Sequence, residues 1–573
     1  MENHKNITLQ DVNKQLYFDF SLNLDIELTD EEKCLLFLFR DLDFSRFGES
    51  KLGRKSKIAP CDMATIIVYS YMQGRYSTRE IERLTNRDMF LRAMLGPIRH
   101  IDHTTIDRFI TKNLDAIEDL FYQLVNKIGS LGELGKKTVF QDGTKIESRA
   151  GRYTFVWKKA LTKNMDKTIN RMIGYCMEAQ ELGLVSNDIA IDESNCYIIL
   201  KGIVDMYDEN DLLLFLSEQP KGRGHKANPI ARLLKRIITD IAKLKEQEDW
   251  LLKIGKGRNS LSKTDVDATF MRMKDDYMKN GQLKPAYNVQ NAVDSGYVVG
   301  VTISSDRADY YTCKPTMELL NDKLDWKYKN YVADSGYDCN ENFRYLNDSG
   351  VTAFIKPQDW EISKKRSYRN DIGKYQNMKY YEDGDYFVCA NNKKLRKTGR
   401  ETCKKGTLFT EYGCSRGCKS CKLRKKCIKG QKHDYKKLSL NVEHWKNRKQ
   451  SYERLITQEG IEMRLNRSIQ AEGSFAQMKN NMGLTRFSCF GKKRVLIEIL
   501  FALNVATFAS MLSQRKTGVP QRYSPQPKRQ HGIFQATKLI QITKHQHRVG
   551  ILICKCIEFL LHVPCIVIDD FVS

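Results

Sequence analysis

The chain has 573 residues, 41% hydrophobic and 29% charged. That describes a soluble globular protein of about three or four domains and excludes a disordered one. Its net charge of +25, with Lys and Arg in every region, points to a polyanionic partner and favours nucleic acid over a single membrane-binding helix.

From Lys51 to Asn113 the sequence reads as short helices. PCDMATIIVYSYMQG is apolar, with Pro60 near its start and Gly74 just past its end. YSTREIERLTNRDMFLRAMLG opens with the capping box Ser77 and Glu80, in which each side chain satisfies the other's backbone N–H. IDHTTIDRFITKN follows, with Asp102 as its N-cap. Arg79, Arg83, Arg87, Arg92 and Arg108 fall on the polar faces, which suits a helix-turn-helix-like module that docks on DNA; a plain bundle with solvated arginines is the alternative.

In the middle, TVFQDGTKI and PAYNVQNAVDSGYVVGVTI read as three strands, the last two joined around Asp294-Ser295-Gly296. CKPTMELLNDKL is helical, NYVADSG a fourth strand, NENFRYLNDSG a helix, VTAFIKP a fifth strand and NRSIQAEGSFAQMK a later helix. This is the element order of a ribonuclease H-like α/β core with a mixed sheet. Two insertions interrupt it. Residues 148–283 follow the first strand and include a helical stripe of Ile230, Leu234, Ile237, Ile241 and Leu244, most simply a packing face, less so a coiled coil. Residues 358–450 precede the last helix and hold a cysteine cluster. From about Gln514 a Pro/Arg/Gln-rich stretch leads into a short apolar piece of no assigned role.

The N-terminus MENHKNITLQ lacks the basic-then-apolar pattern of a secretory signal. No run gives about 20 uninterrupted apolar residues, so no membrane span is expected and the compartment is read as the cytoplasm. Sixteen cysteines in that setting argue for reduced thiols and a metal site over disulfides. Cys389, Cys403, Cys414, Cys418, Cys421 and Cys427 share a very basic stretch. Cys418 and Cys421 form a CxxC pair suited to tetrahedral Zn²⁺, Cys427 reaches the same ion, and the fourth thiolate is Cys389, Cys403 or Cys414.

Three separated acids carry the chemistry. Strand alternation puts Phe140, Asp142, Thr144 and Ile146 on one face, with Glu147 pointing the other way. Asp334 stands where a buried strand ends, the position at which functional side chains of α/β sheets gather. Asp338 nearby reads as a cap for the next helix. Glu472 lies on the later helix. Two acids on strands and one on a helix are what a paired-Mg²⁺ centre for cutting phosphodiesters needs, with Mn²⁺ able to substitute. Lys479 falls on the Glu472 stripe about 10 Å further along a regular helix, placed for a flanking phosphate. Asp265, Asp267 and Lys284, in SKTDVDATFMRMKDDYMKNGQLKPAYNVQ, are open to a site role or a surface role.

These motifs resemble a bacterial insertion-sequence transposase of the DDE superfamily, with an N-terminal domain and insertions similar to those of the IS-eleven-eighty-two-like family. The resemblance runs from about Gly53 to Phe508. It rests on YSTREIERL with HTTIDRF, on QDGTKIESRAGRYTFVWKK, on SKTDVDATFMRMKDDYMKNGQLKPAYNVQ, on VADSGYD and on EGSFAQMKNNMGLTRFSCFGKKRVLIEILFALN. It implies that Asp142, Asp334 and Glu472 are the catalytic triad, that Lys479 is the lysine following the glutamate, and that Cys389 is the fourth zinc ligand. The wider superfamily places an arginine four residues before the glutamate; here that position is Ser468, and Arg467 is one residue off.

The resulting expectation is a Mg²⁺-dependent transposase that binds the terminal inverted repeats of its element and moves it by cut-and-paste. Residues 1–135 would form the helical DNA-binding domain, 136–515 the catalytic domain with its two insertions, and 516–573 a tail of unknown role. Double-stranded DNA is the expected partner, and a homodimer the expected active form, because two element ends must be brought together. A nuclease without strand transfer, and a non-catalytic or domesticated DNA-binding protein, are the alternatives.

Overall fold

The computed structural model describes residues 28–48 and 58–517, apart from 96–97, 99, 221–227, 256, 274–280, 405–406, 415 and 430–433, with side chains described to residue 504. The expected tail, 516–573, and its apolar piece thus lie almost wholly outside the described residues. No described helix is long and apolar enough to cross a membrane.

The N-terminal helices form where the caps allow. Thr29 and Glu32 make a capping box for α1 (Asp30–Phe39). Pro60 is the first residue of α2 (Pro60–Met72), and Gly74 just beyond it has a φ of 71°. The Ser77/Glu80 capping box opens α3 (Thr78–Thr85). The chain then breaks, and Asp88 Oδ1 accepts the Leu91 N–H at 2.9 Å to begin α4 (Met89–Leu95). Asp102 caps α5 (His103–Lys112), and α6 (Leu114–Ser130) follows.

The central sheet starts with β1 (Thr138–Glu147). The first insertion then supplies α7 (Lys158–Glu181), α8 (Cys196–Asp205), α9 (Glu209–Ser217) and α10 (Pro229–Ile254). The α10 stripe from Ile230 to Leu244 packs on Met172, Cys176 and Leu200, so it is spent on an intramolecular core. β2 (Leu283–Asp294) and β3 (Tyr297–Ser304) form a hairpin. Ser295 and Gly296 have φ of 54° and 84°, the two-residue turn whose twist matches the strands. α11 (Cys313–Lys323), β4 (Asn330–Ala333), α12 (Asn340–Asp348) and β5 (Thr352–Ile355) complete the alternation. The cysteine insertion folds as a second, antiparallel sheet of β6 (Lys379–Tyr381), β7 (Tyr386–Val388), β8 (Lys394–Lys404), β9 (Thr407–Gly413) and β10 (Lys437–Leu440). Helices α13 (Val442–Leu455), α14 (Gln458–Ala476) and α15 (Lys492–Thr517) close the described chain.

In the central sheet β1 lies between antiparallel β2 and parallel β4, with β5 beyond β4. The far edge of β2 is shared by β3 and a short strand, Thr269–Arg272. The mixed α/β order is the one read from the sequence. The short strands Thr269–Arg272, Phe155–Trp157 and Ser260–Ser262 were not expected, because three or four residues carry no periodic signal. One sheet face shares a core with the N-terminal helices through α15, whose Phe501 ring lies 5.5 Å from Tyr71 of α2. The other face buries Phe140, Val332 and Phe354 against Trp360, Leu455 and Met463.

Candidate active site

Register brings Asp142 and Asp334 together. Parallel β1 and β4 pair Phe140 with Val332. Two residues further on each strand, alternation returns Asp142 and Asp334 to the same face, just where β4 has ended. Each carboxylate is fixed locally. Asp334 Oδ1 accepts the Gly336 N–H at 2.7 Å. Asp142 Oδ1 accepts the Gly143 N–H at 2.8 Å, and its Oδ2 takes a hydrogen bond from Arg467 Nη1 at 3.2 Å.

Helix α14 lies across this face. Gln470 Oε1 accepts the Gly296 N–H at 3.1 Å. Asn291, directly opposite Asp142 on β2, donates to Ser474 Oγ at 3.2 Å. A residue midway between two that face the sheet points away from it. Glu472 is accordingly 64% exposed, joined to the site through Arg467, whose Nη2 is 3.8 Å from its Oε1. Arg467 is only 17% exposed and stands as a cation between Asp142 and Glu472. The regular helix on which the Lys479 spacing was read ends at Ala476. Gln477–Asn481 make a π-turn, pinned by buried Met478, and Lys479 sits half-buried within it.

On the opposite face the floor is polar. Buried Gln141 donates to Gln290 Oε1 at 3.0 Å and to Thr316 Oγ1 at 3.1 Å, and accepts from Tyr331 at 2.9 Å. Tyr337 and Thr312 also donate to Gln290 Oε1. Gln290 Nε2 and Asn288 Nδ2 each donate to Asp309 Oδ1 at 2.8 Å. A buried network this well satisfied rigidifies what it supports. Asp309 drew no reading from the sequence; it follows β3 in SSDRADYY, where no apolar run marks it. Two glycines make room for it. A Cβ on Gly143 would stand 2.8 Å from Asp309 Oδ1, and one on Gly336 3.1 Å from Asp309 Oδ2 and 2.9 Å from Asp334 Oδ1. Burial raises the Tyr337 hydroxyl well above its ordinary value, and the negative field of Asp309, Asp142 and Asp334 adds to that. Carboxylate oxygens are the donor type that suits a hard divalent cation such as Mg²⁺.

Other acids have structural employment. Glu147 meets Lys284 at 3.0 Å, Arg152 at 3.1 Å and Arg486 at 3.9 Å. Burial pushes its carboxyl up, but the bonds and charges of Arg152 and Lys284 outweigh this and hold it below its ordinary value. Asp265 accepts from Ser148 at 2.5 Å and Tyr287 at 2.7 Å, and Asp267 from the Lys492 N–H at 3.0 Å. These residues, with Lys284, brace the carboxyl end of β1 and the start of α15. Asp338 does not cap α12, whose N-cap is Cys339; it is buried and paired with His444 and Arg448 of α13, each at 2.9 Å.

Among the N-terminal arginines, Arg79, Arg83, Arg87 and Arg108 are exposed, whereas Arg92 is half-buried and donates to the Ile98 carbonyl at 3.3 Å. Glu82 clamps α3 to α5 through His103 at 2.8 Å, and also meets His100 at 3.2 Å. Glu82, Asp102 and His103 are the group of three potential ligand atoms that lie within 4.8 Å of one another among the described residues. No three atoms of the acid triad or of the cysteines do so.

The cysteine sheet brings Cys389, Cys414, Cys418, Cys421 and Cys427 to one pocket with Lys436. Cys403 lies elsewhere, exposed on β8 opposite Leu408. Both remaining candidates for the fourth ligand are therefore in place. Burial raises the Cys427 thiol; Lys436 lowers it, and Cys389, Cys418 and Cys421 raise it further. Clustered thiols from a CxxC turn and two strand ends fit the donor chemistry of Zn²⁺.

A family model described as a transposase DDE domain matches residues 388–511, which include Arg467, Glu472, Lys479 and the pocket cysteines. A second, described as a transposase domain (DUF772), matches residues 28–112, which include Arg79, Arg83, Arg87 and Arg108. Asp142 and Asp334 fall outside both segments. No curated protein and no solved structure matches the chain. From both ends of the described chain, these matches support an insertion-sequence DDE transposase.

Proposed function

We propose that this chain is a DNA transposase of the IS-eleven-eighty-two-like kind, acting in the cytoplasm, with a ribonuclease H-like core that cuts its element's ends and joins them to target DNA. The observation that carries the reading is the β1–β4 register, which puts Asp142 and Asp334 on one face where β4 ends, with Arg467 linking Asp142 to Glu472 on α14. Two Mg²⁺ ions bound by these acids would activate an attacking oxygen and steady a leaving one. Asp142 and Asp334, held by the backbone N–H groups beside them, keep fixed directions as DNA approaches. Arg467 neutralises the acids until then and is within reach of a backbone phosphate once they are otherwise engaged. Lys479 on the π-turn takes a flanking phosphate. A Zn²⁺ ion on Cys418, Cys421, Cys427 and Cys389 or Cys414 would hold the basic cysteine sheet in shape for DNA.

In this reading residues 1–135 recognise the inverted repeats of double-stranded DNA, 136–515 cut it, and two copies pair the ends. Arg79, Arg83, Arg87 and Arg108 would meet phosphates. Each lost phosphate contact lowers the salt slope of binding by about 0.9. The triple change of Arg79, Arg83 and Arg87 to Ala is therefore expected to weaken repeat binding and flatten its salt dependence by roughly two to three. A gel-shift titration across salt concentrations reads this directly. Unchanged affinity and slope would move recognition to another part of the chain.

A further inference from the structure

We propose that the cleft between α13 and the cysteine sheet binds single-stranded DNA, stacking unpaired bases on aromatic side chains and holding the backbone with lysines. The proposal rests on DNA being this chain's partner and adds a second place, and a second form, in which it is held. The cleft has a volume of about 980 Å³. It starts at Pro357, two residues past β5, and is walled by the short helix Trp360–Ser363, β6 and α13. Its aromatic rings include Trp360 and Tyr452, 5.2 Å apart, and Tyr380 and Trp445, 5.1 Å apart. Trp360 is buried in the floor, Tyr380 and Trp445 are half-buried, and Tyr452 is 41% exposed. A tyrosine that exposed is not spent on the core.

Lysines stand beside these rings. Lys364 is 5.6 Å from the Trp360 centroid, Lys446 5.6 Å from that of Tyr380 and Lys449 6.0 Å from that of Trp445. With Arg369, Lys379 and Arg448 they face three acids, Asp359, Glu382 and Glu453, which leaves the cleft net positive. Lys446 meets Glu382 at 3.1 Å and Lys449 meets Glu453 at 3.9 Å, exposed pairs that a phosphate displaces at little cost. Rings set beside cations match a single strand, in which every base lies next to a phosphate. A duplex keeps its base faces stacked inside, so it would use the lysines and leave the rings idle. Position favours the same occupant. Trp360 shares a core with Phe140 and Val332, on the sheet face that carries Asp142 and Asp334. Arg464 of α14 lies over the Trp360 ring at 4.8 Å, and Arg467, about one helical turn further on, meets Asp142. A strand cut beside Asp142 has a free end that can unpair, and the cleft is close enough to receive it.

The experiment is fluorescence anisotropy of labelled oligothymidylate, and of a labelled duplex carrying the terminal repeat, titrated with the full chain as wild type, Tyr452→Ala and Tyr452→Phe. Tyr452→Ala is expected to weaken oligothymidylate binding at least about fivefold, the low end for one lost base stack, with repeat binding unchanged. Tyr452→Phe keeps the ring and is expected to bind like wild type. Unchanged oligothymidylate affinity in Tyr452→Ala would overturn the proposal, as would an equal loss of repeat binding in that variant. Wild type that binds the repeat but not oligothymidylate would overturn the cleft and leave the DNA reading standing. Binding of neither would overturn both. A second measurement needs no variant. Iodouracil placed in the single strand and activated by light is expected to crosslink wild type at Tyr380, Trp445 or Tyr452. Crosslinks only outside the cleft would also overturn the proposal.

Discussion

Replacing Asp142 or Asp334 by Asn, or Glu472 by Gln, is expected to lower Mg²⁺-dependent cleavage of an element end by about a thousandfold or more while DNA binding persists. Each change preserves shape and removes one negative charge. A bound metal contributes several kcal/mol of transition-state charge stabilisation, and each 1.4 kcal/mol or so is a factor of ten. The three positions are not expected to respond alike in the free protein. Asp142 and Asp334 are held against the sheet, and loss of the Asp142 charge leaves the shielded Arg467 without its nearer partner. Glu472 is exposed and only loosely tied to Arg467, so its replacement should leave the melting temperature unchanged. Cleavage assays beside gel shifts on the same variants separate chemistry from binding. Retained cleavage in any one variant removes that residue from the triad.

Chelating zinc is expected to unfold the cysteine sheet before the central core melts. That sheet has a small core of its own, built on residues such as Phe387, Leu395, Tyr412 and Leu438. A structural Zn²⁺ site contributes on the order of 10 kcal/mol to folding, more than so small a core supplies. Protein purified without added metal should carry one zinc per chain, and the double change Cys418→Ser with Cys421→Ser should abolish it. Comparing Cys389→Ser with Cys414→Ser decides which completes the set. Cys403→Ser serves as the control, because that side chain is exposed on β8 away from the pocket. Elemental analysis reads all of these. Zinc near zero in wild type, or unchanged in the double variant, would remove the site.

Much of the architecture was legible because local signals were strong. The Ser77/Glu80 box, the Asp102 cap, Pro60 and the Ser295-Gly296 turn each encode a boundary in a few residues, and each forms as read. Asp142 and Asp334 were legible because alternation and strand ends fix where such side chains point. Legibility failed where geometry depends on partners distant in sequence. The π-turn after α14, where Asn291 donates to Met478 187 residues away, interrupts the regular helix that the Lys479 spacing assumed. Asp338 sits beside a helix start like a cap, yet its partners His444 and Arg448 come from α13. Asp309 had no local mark at all; its place beside Asn288, Gln290 and the Asp334 loop appears only once Gly143 and Gly336 are brought around it.

The most direct measurement of the central claim is strand transfer by the purified full chain. A labelled DNA fragment carrying the terminal inverted repeat from beside the gene is incubated with Mg²⁺ and a supercoiled target plasmid, and products are resolved by size and sequenced across the junction. The expected result is label joined through its 3′ end to the plasmid, dependent on Mg²⁺ and absent in Asp142→Asn. Cleavage without joining would contradict transposition and leave a nuclease. Repeat binding with neither cutting nor joining under any divalent metal would contradict the catalytic reading altogether.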